Sequence, residues 1–273
     1  MRCIFCKANS DNSVSVEHVL PESLGNEDHI LPPGWVCDRC NNYFAIKVEK
    51  PFLEGDFARS IRHFMRVPSK KGRIPTFSTL HCRSGTKIDL FYDERGRHLM
   101  KAAVGEDERK FADLVDSQTS GVFQSPAVIV PDLDLMTARF IAKLGLEILA
   151  LKCSEIPGWN DEIVDKPELD ALREYARFVR PNIIWPINIR RIYECNFQFP
   201  ADAKGESYET LHEWTIHAIP DRGPCEWYAV AAIFGIEFAI NLGSPELDGW
   251  KRWFKKNKGQ SPLYPEGIPR ISS

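Results

Sequence analysis

The sequence predicts an α+β protein, in which a small unit built around cysteine pairs precedes a larger body of antiparallel strands and two to three helices. The small unit is predicted because residues 1–55 are rich in Cys, Pro, Gly and Asn and contain two CxxC pairs. From residue 74 onward, alternating or continuous apolar segments are separated by turn sequences, which is typical of antiparallel strands. We therefore predict two domains, residues 1–73 and 74–273.

Two helices are predicted in the first domain. The segment "CNNYFAIKVEKPF" predicts a helix from about Asp38 to Glu49, which Pro51 interrupts because proline has no N–H to donate. A second helix follows, where Phe57, Ile61 and Phe64 stand at positions i, i+4 and i+7 and form one apolar face.

The second domain begins with three predicted strands, "TFSTLHC", "TKIDLFY" and "HLMKAAV". A long apolar helix, "LMTARFIAKLGLEILALKC", is capped by Asp132 or Asp134, and a second helix has Pro167 in its first turn and Pro181 at its end. Four further segments are strand-like: "NIIWPINIRRIY", "TLHEWTIHAI", "WYAVAAIF" and "GIEFAINL". A short basic helix, "PELDGWKRWFKKN", completes the pattern.

The bulk composition is that of an ordinary globular protein. The chain has 273 residues, of which 43% are hydrophobic and 27% charged, and its net charge is -3. This balance does not by itself indicate a nucleic-acid binder, although a binding face needs only local positive charge. We find no apolar segment long enough to span a membrane and no apolar signal at the N-terminus, so we expect no membrane partner and a cytoplasmic location.

The two CxxC pairs are Cys3 with Cys6 and Cys37 with Cys40. In a reducing compartment, two such pairs predict tetrahedral ligation of zinc by four thiolates. Because four cysteines leave no open coordination position, we predict a structural zinc. The other cysteines are predicted to be small buried hydrophobic residues: Cys82, Cys153, Cys195 and Cys225.

Between the pairs stands the dipeptide Glu17-His18, which a purely structural zinc unit does not need. A lone Glu-His pair is weak evidence of a functional site, since such a pair is usually solvated. Zinc at Cys40 would, however, fix the start of the following helix, so that Asn41 lies beside Glu17. Two oxygen ligands with open water positions suit magnesium, and His18 would then be placed to deprotonate water.

Taken together, "CIFC…EHVLPESLG…VCDRCNNYF" resembles the HNH endonucleases with the ββα-metal fold, in the subtype stapled by four cysteines around zinc. Holliday-junction resolvases of the endonuclease VII type share this order of motifs. The resemblance covers about residues 1–50 and is specific, because five elements occur in the right order. It implies hydrolysis of DNA phosphodiester bonds.

The resemblance also implies a role for each matching residue. Glu17 and Asn41 correspond to ligands of a single catalytic Mg or Mn ion, and His18 corresponds to the general base. Many members carry an asparagine shortly before the second cysteine pair, which pins the loop through backbone hydrogen bonds. Here that place reads "LPPGWVC", and Asn26 is interpreted as lying too early for this role.

Residues 59–73 contain six cationic side chains and no acidic one. Such a run is most often a solvated face, but next to a nuclease motif it favours contact with DNA phosphates. The predicted contacts are Arg59, Arg62, Arg66, Lys70, Lys71 and Arg73. Weaker candidates of the same type are Arg190, Arg191 and the segment "KRWFKKNK".

Two alternatives stay open at this point. The N-terminal unit is either an endonuclease or a non-catalytic zinc-ribbon adaptor that binds nucleic acid or protein. Residues 74–273 are either a DNA clamp, a surface for homo-oligomerisation or a sensor for a regulatory partner. Both His212 and His217 are interpreted as structural, since residues five apart on a strand point to opposite faces.

Overall fold

The computed structural model describes residues 1–26, 28–117, 122–124, 130–196, 198–199, 208–209, 212–220 and 225–267. Its α-helices are α1 (Asp38–Phe44), α2 (Lys50–Glu54), α3 (Asp56–Phe64), α4 (Glu108–Asp116), α5 (Leu135–Cys153), α6 (Trp159–Asp165), α7 (Asp170–Phe178) and α8 (Asp248–Lys256). Its strands are β1 (Glu17–His18), β2 (Ile30–Leu31), β3 (Phe77–His81), β4 (Thr86–Tyr92), β5 (His98–Ala102), β6 (Phe123–Gln124), β7 (Ile187–Arg191), β8 (Gln198–Phe199), β9 (Tyr208–Glu209), β10 (His212–Ile219), β11 (Glu226–Ile233) and β12 (Ile236–Asn241). Across these described ranges, no helix has both the length and the apolar content needed to cross a bilayer.

The predicted α+β class is confirmed, since helices alternate with sheets whose strand pairs are all antiparallel. The chain divides into two compact units. Unit 1 combines Met1–Leu53 with Val130–Ser273, and unit 2 is Glu54–Ile129. The boundaries predicted from the sequence, 1–73 and 74–273, concern which segments fold by themselves, and they stay a prediction.

The N-terminal part of unit 1 follows the order strand, strand, helix. Strand β1 pairs with β2 so that Glu17 lies opposite Leu31 and His18 opposite Ile30. After α1 the chain continues as a π-helix over Ala45–Glu49 and then as α2. Helical structure therefore passes through Pro51 and does not end at Glu49 as the sequence predicts.

The second half of unit 1 explains how this helical segment tolerates its proline. Pro51 has no N–H to donate to the Lys47 carbonyl. The Arg139 guanidinium of α5 donates to that carbonyl at 3.3 Å, and it also reaches the Tyr43 hydroxyl at 3.0 Å. A side chain more than ninety residues away thus supports the backbone of the N-terminal part.

Helix α5 has the bounds that the sequence predicts, and Asp134 caps it by accepting a hydrogen bond from the Thr137 N–H at 2.7 Å. It is buried nearly all round, and Gly145 lets it approach the sheet closely. A Cβ atom there would lie 3.2 Å or less from the side chains of Leu242 and Ile240. On the other side, Phe140 stacks on Phe52 with ring centroids 3.9 Å apart. Helix α5 therefore packs between the sheet and the N-terminal part.

That sheet has the strand order β10-β11-β12-β7 and carries the largest apolar core of the described residues in unit 1. Helix α8 covers it through Trp250, whose ring lies 5.4 Å from that of Tyr228. His217 contacts the Trp253 ring at 4.3 Å, and His212 Nε2 bonds to the Leu24 carbonyl. These contacts agree with the structural interpretation of both histidines.

Unit 2 consists of α3, α4 and a sheet with the strand order β5-β4-β3-β6. The sequence patterns indicated β3, β4 and β5 but not α4, which begins at the capping residue Asp107. They also missed α6 of unit 1. In unit 2 the imidazole of His63 is fully buried; its Nδ1 lies 2.8 Å from the Pro75 carbonyl and its Nε2 lies 3.2 Å from His98 Nε2.

Candidate active site

The first feature of the site is a cluster of four thiols. Cys3 and Cys6 lie on a tight turn in which the Lys7 N–H donates to the Cys3 carbonyl at 2.9 Å. Cys37 and Cys40 lie at the start of α1, and the four Sγ atoms are all within 4.8 Å of one another. Tetrahedral Zn–S bonds of about 2.3 Å place the sulfur atoms roughly 3.8 Å apart, so the cluster fits a zinc ion.

The thiols also need a cation for electrostatic reasons. The pKa of Cys3 is lowered to about 5, mainly because the Cys40 thiol donates a hydrogen bond to it. The pKa of Cys40 is raised far above its usual range, because its proton is held in that bond and because the group is buried. Four adjacent thiolates repel one another, and a bound zinc ion removes this repulsion. The structure therefore supports the predicted structural zinc site.

The second feature is His18 with its partner Glu22. The His18 side chain is 11% exposed, and its Nε2 lies 3.1 Å from Glu22 Oε1. A 3-10 turn over Glu22–Leu24, closed by Gly25 at φ 88°, brings this carboxylate back to β1. His18 Nδ1 is buried and has no hydrogen-bond partner within the described ranges. Sequence analysis missed Glu22, although its i+4 spacing from His18 was a usable signal.

The third feature is Asn41 in the first turn of α1. Its side-chain amide nitrogen donates to the Val16 carbonyl at 3.0 Å. Because the nitrogen is engaged, the amide oxygen is the atom left for a cation. Val16 is the residue before Glu17, so α1 and β1 are joined here. Asn41 thus contacts the backbone that leads into Glu17, and the predicted roles of the Asn41 and Glu17 side chains as ligands of one metal ion stay predictions.

Glu17 has an environment that the sequence did not indicate. Its carboxylate is buried, and Oε1 accepts a hydrogen bond from Lys143 Nζ at 2.7 Å. The same ammonium group lies 2.6 Å from Glu49 Oε1 and 2.8 Å from Glu147 Oε2. The Glu17 carboxylate therefore belongs to a buried charge cluster of one lysine and three glutamates.

The protonation of this cluster follows from burial and from the neighbouring charges. Burial disfavours the Lys143 ammonium, but the three carboxylates outweigh burial and raise its pKa well above the usual value. Burial raises the pKa of Glu147 well above its usual value, and the charges of Glu17 and Glu49 add to this effect. The direction of both shifts favours the ammonium form of Lys143 and disfavours the ionised form of Glu147. A cation close to Glu17 and Glu49 would lower the remaining negative charge.

Asn26 requires a correction. The interpretation that it lies too early to pin the loop was wrong. Its side chain is buried and donates to the Leu20 carbonyl at 2.7 Å and to the His29 carbonyl at 3.2 Å. Its Oδ1 accepts from the His29 N–H at 3.1 Å. Asn26 therefore pins the loop between β1 and β2 by backbone hydrogen bonds, and spatial proximity outweighs its early position in the sequence.

The six predicted DNA contacts all lie in unit 2, and they differ in exposure. Arg62 is only 7% exposed, its Nε has no partner in the described part of the chain, and burial lowers its pKa. Arg66 lies over the ring of Tyr92 at 5.1 Å. Five of the six are exposed and suited to contact phosphate: Arg59, Arg66, Lys70, Lys71 and Arg73. Their role in binding DNA stays a prediction.

Comparison with known families supplies an independent observation. Residues 3–56 match the sequence model of a family described as HNH endonuclease. Comparisons with curated proteins and with solved structures give no match. The matched segment contains the four clustered cysteines, His18 and Asn41. This match of the N-terminal segment confirms the family resemblance inferred from the motifs.

Proposed function

We propose that the protein is a metal-dependent endonuclease that hydrolyses phosphodiester bonds in DNA. The proposal has a structural zinc at the four cysteines, His18 as the general base, and Glu17 and Asn41 as ligands of one Mg or Mn ion. The observation that carries it is the contact of His18 Nε2 with Glu22 Oε1, in a segment whose sequence matches the HNH endonuclease family. The bare Nδ1 of His18 is not distinctive by itself, because His81 Nε2 and His217 Nε2 are also buried without a partner in the described part of the chain.

The proposed mechanism follows from the His18 tautomer. A carboxylate accepts hydrogen bonds only, so Glu22 fixes the proton on Nε2 and leaves a lone pair on Nδ1. Nδ1 then takes the proton from the attacking water, and Glu22 stabilises the imidazolium that forms. The divalent ion, when bound, offsets charge on the phosphate and on the leaving 3′-oxygen. The products are a 5′-phosphate and a 3′-hydroxyl, as the family resemblance implies.

The test is cleavage of supercoiled plasmid with Mg²⁺ or Mn²⁺, comparing the wild-type protein with His18→Ala. We expect the variant to keep its zinc and its melting temperature while its cleavage rate falls about 10²–10⁴-fold. His217→Ala is the matched control, because it also removes an imidazole from unit 1 but leaves the site intact. Near-wild-type cleavage by His18→Ala would place the reaction elsewhere.

One observation favours the alternative function, a non-catalytic zinc-ribbon adaptor. Glu17, a proposed ligand of the divalent ion, is already paired with Lys143 in the interior. An adaptor would use that ion pair only to join the N-terminal part to α5. The two functions separate in the plasmid assay, because an adaptor binds DNA or protein without cutting at any metal concentration. The predicted cytoplasmic location suits both, since four thiolates require a reducing compartment.

A further inference from the structure

The charge cluster around Lys143 joins three separate segments of unit 1. Glu17 comes from β1, Glu49 from the end of the π-helix, and Lys143 and Glu147 from successive turns of α5. Of these, only Glu17 and Glu49 lie in the segment that matches the HNH family. The ammonium group that holds the Glu17 carboxylate therefore comes from outside the matched segment.

The geometry of Lys143 leaves it little freedom. Its side chain is completely buried, and Nζ lies 2.7, 2.6 and 2.8 Å from three different carboxylates. Two of these contacts are hydrogen bonds, to Glu17 and Glu147, and the third is an ion pair with Glu49. Neither rotation of Nζ nor a change of rotamer is possible without breaking one of these bonds. The Glu17 carboxylate is accordingly fixed through Oε1.

We propose that Lys143 is a positioning residue of the hydrolysis, which holds the Glu17 carboxylate in the orientation that binds the divalent ion. This inference rests on the proposed function of Glu17. Helix α5 then completes the site, and residues 3–56 without α5 bind the ion weakly. A buried ion pair adds little stability compared with apolar side chains of the same size, but it does fix the direction of its members.

The experiment measures Mn²⁺ binding to the zinc-loaded full-length chain by electron paramagnetic resonance, for the wild type and for Lys143→Met. Partners that orient metal ligands are worth about 10–100-fold in metal affinity, and we expect a loss of this size. The concentration of Mn²⁺ that half-saturates plasmid cleavage should rise by a similar factor. Lys152→Met is the matched control, because Lys152 is an exposed lysine of the same helix, and it should change neither quantity.

A double-mutant cycle separates positioning from a general structural role. In a Glu17→Gln background, Lys143→Met should weaken Mn²⁺ binding no further, because Lys143 acts through the Glu17 carboxylate. An additional tenfold loss in that background would overturn the proposal. A dissociation constant for the single variant Lys143→Met within about twofold of the wild type would overturn it as well.

Two precautions keep the result interpretable. Zinc content and cooperative melting show whether Lys143→Met folds. If it does not, Lys143→Met combined with Glu49→Gln removes one buried charge of each sign. Failure of the proposed function appears differently from failure of this inference. If the wild type binds Mn²⁺ but cuts no DNA, the nuclease proposal fails while the Lys143 comparison still stands. If His18→Ala abolishes cutting and Lys143→Met changes nothing, only the role of Lys143 fails.

Discussion

Lys143 of unit 1 and the pair Arg62 and His63 of unit 2 are buried in opposite surroundings. In unit 1, the Lys143 ammonium lies among three carboxylates, and its pKa is raised. In unit 2, Arg62 and His63 are buried without a carboxylate partner in the described ranges, and burial lowers the pKa of both. Carboxylate partners favour the ammonium form of Lys143, whereas burial without them disfavours the charged form of His63; Arg62 stays charged although burial lowers its pKa. The difference concerns these residues and not the units as wholes, because burial also lowers the pKa of Arg173 and His217 in unit 1.

The largest expected effect follows from disrupting the thiol cluster of unit 1. We expect Cys37→Ser to release the zinc and to unfold at least the N-terminal part of unit 1, because zinc binding supplies folding free energy there. Elemental analysis gives the zinc content, and circular dichroism gives the melting curve. Cys82→Ser is the control, since Cys82 lies outside the cluster and, contrary to the predicted burial, is exposed. A Cys37→Ser protein that keeps one zinc per chain would contradict the four-cysteine site.

A smaller effect tests the protonation of the charge cluster. The raised pKa of Glu147 favours its protonated form, and Glu147→Gln replaces that form by a group of the same shape and charge. We expect a loss of about 1 kcal/mol or less in the free energy of unfolding. Lys143→Met, by contrast, leaves buried carboxylates without their cation and should cost about 3–5 kcal/mol. Urea unfolding at pH 5 measures both.

The same pair of proteins gives a pH dependence with a definite sign. The pKa of Glu147 is higher in the fold than in the unfolded chain, so its contribution to stability is present below the unfolded value and is lost as the pH rises. The Glu147→Gln variant has no titrating group at this position, so its stability does not fall in this way as the pH rises. The difference in unfolding free energy between wild type and variant should therefore shrink or change sign from pH 5 to pH 8. A loss of 3 kcal/mol or more for Glu147→Gln at both pH values, roughly the cost of breaking an ionised pair, would show an ionised Glu147.

The smallest effect concerns His63 in unit 2. Burial lowers its pKa in the fold, and the neighbouring His98 adds to this effect, so the unfolded chain binds the proton more readily. Stability is therefore full above the unfolded pKa of about 6.5 and is lost as the pH falls toward the lowered value. Denaturant unfolding between pH 7.5 and 5 should show a shallower loss for His63→Gln than for the wild type. An equal slope in the two proteins would mean that His63 does not titrate in this window.

Much of the local structure could be predicted because it depends on neighbouring residues. The bounds of α5 follow from its apolar composition and its capping Asp134, and β4 follows from its apolar pattern between two turns. The sequence did not indicate the helices α4 and α6, because both are short and their apolar faces are narrow. The prediction for Asn26 was wrong because it relied on the position of this residue in the sequence. Its role in the loop depends instead on its proximity in space to the Leu20 and His29 carbonyls.

The sequence by itself determined the thiol cluster and the Glu17-His18 pair, because metal ligation and general-base chemistry require those residue types at those spacings. Only the tertiary structure decided what surrounds them. Lys143 stands 126 positions after Glu17, and no local pattern relates two residues so far apart. Its spacing of four from Arg139 and Glu147 marks a charged stripe on an apolar helix, but not the partner of that stripe. Packing of α5 against the N-terminal part joins them, because an ammonium group as deeply buried as that of Lys143 is costly without carboxylate partners.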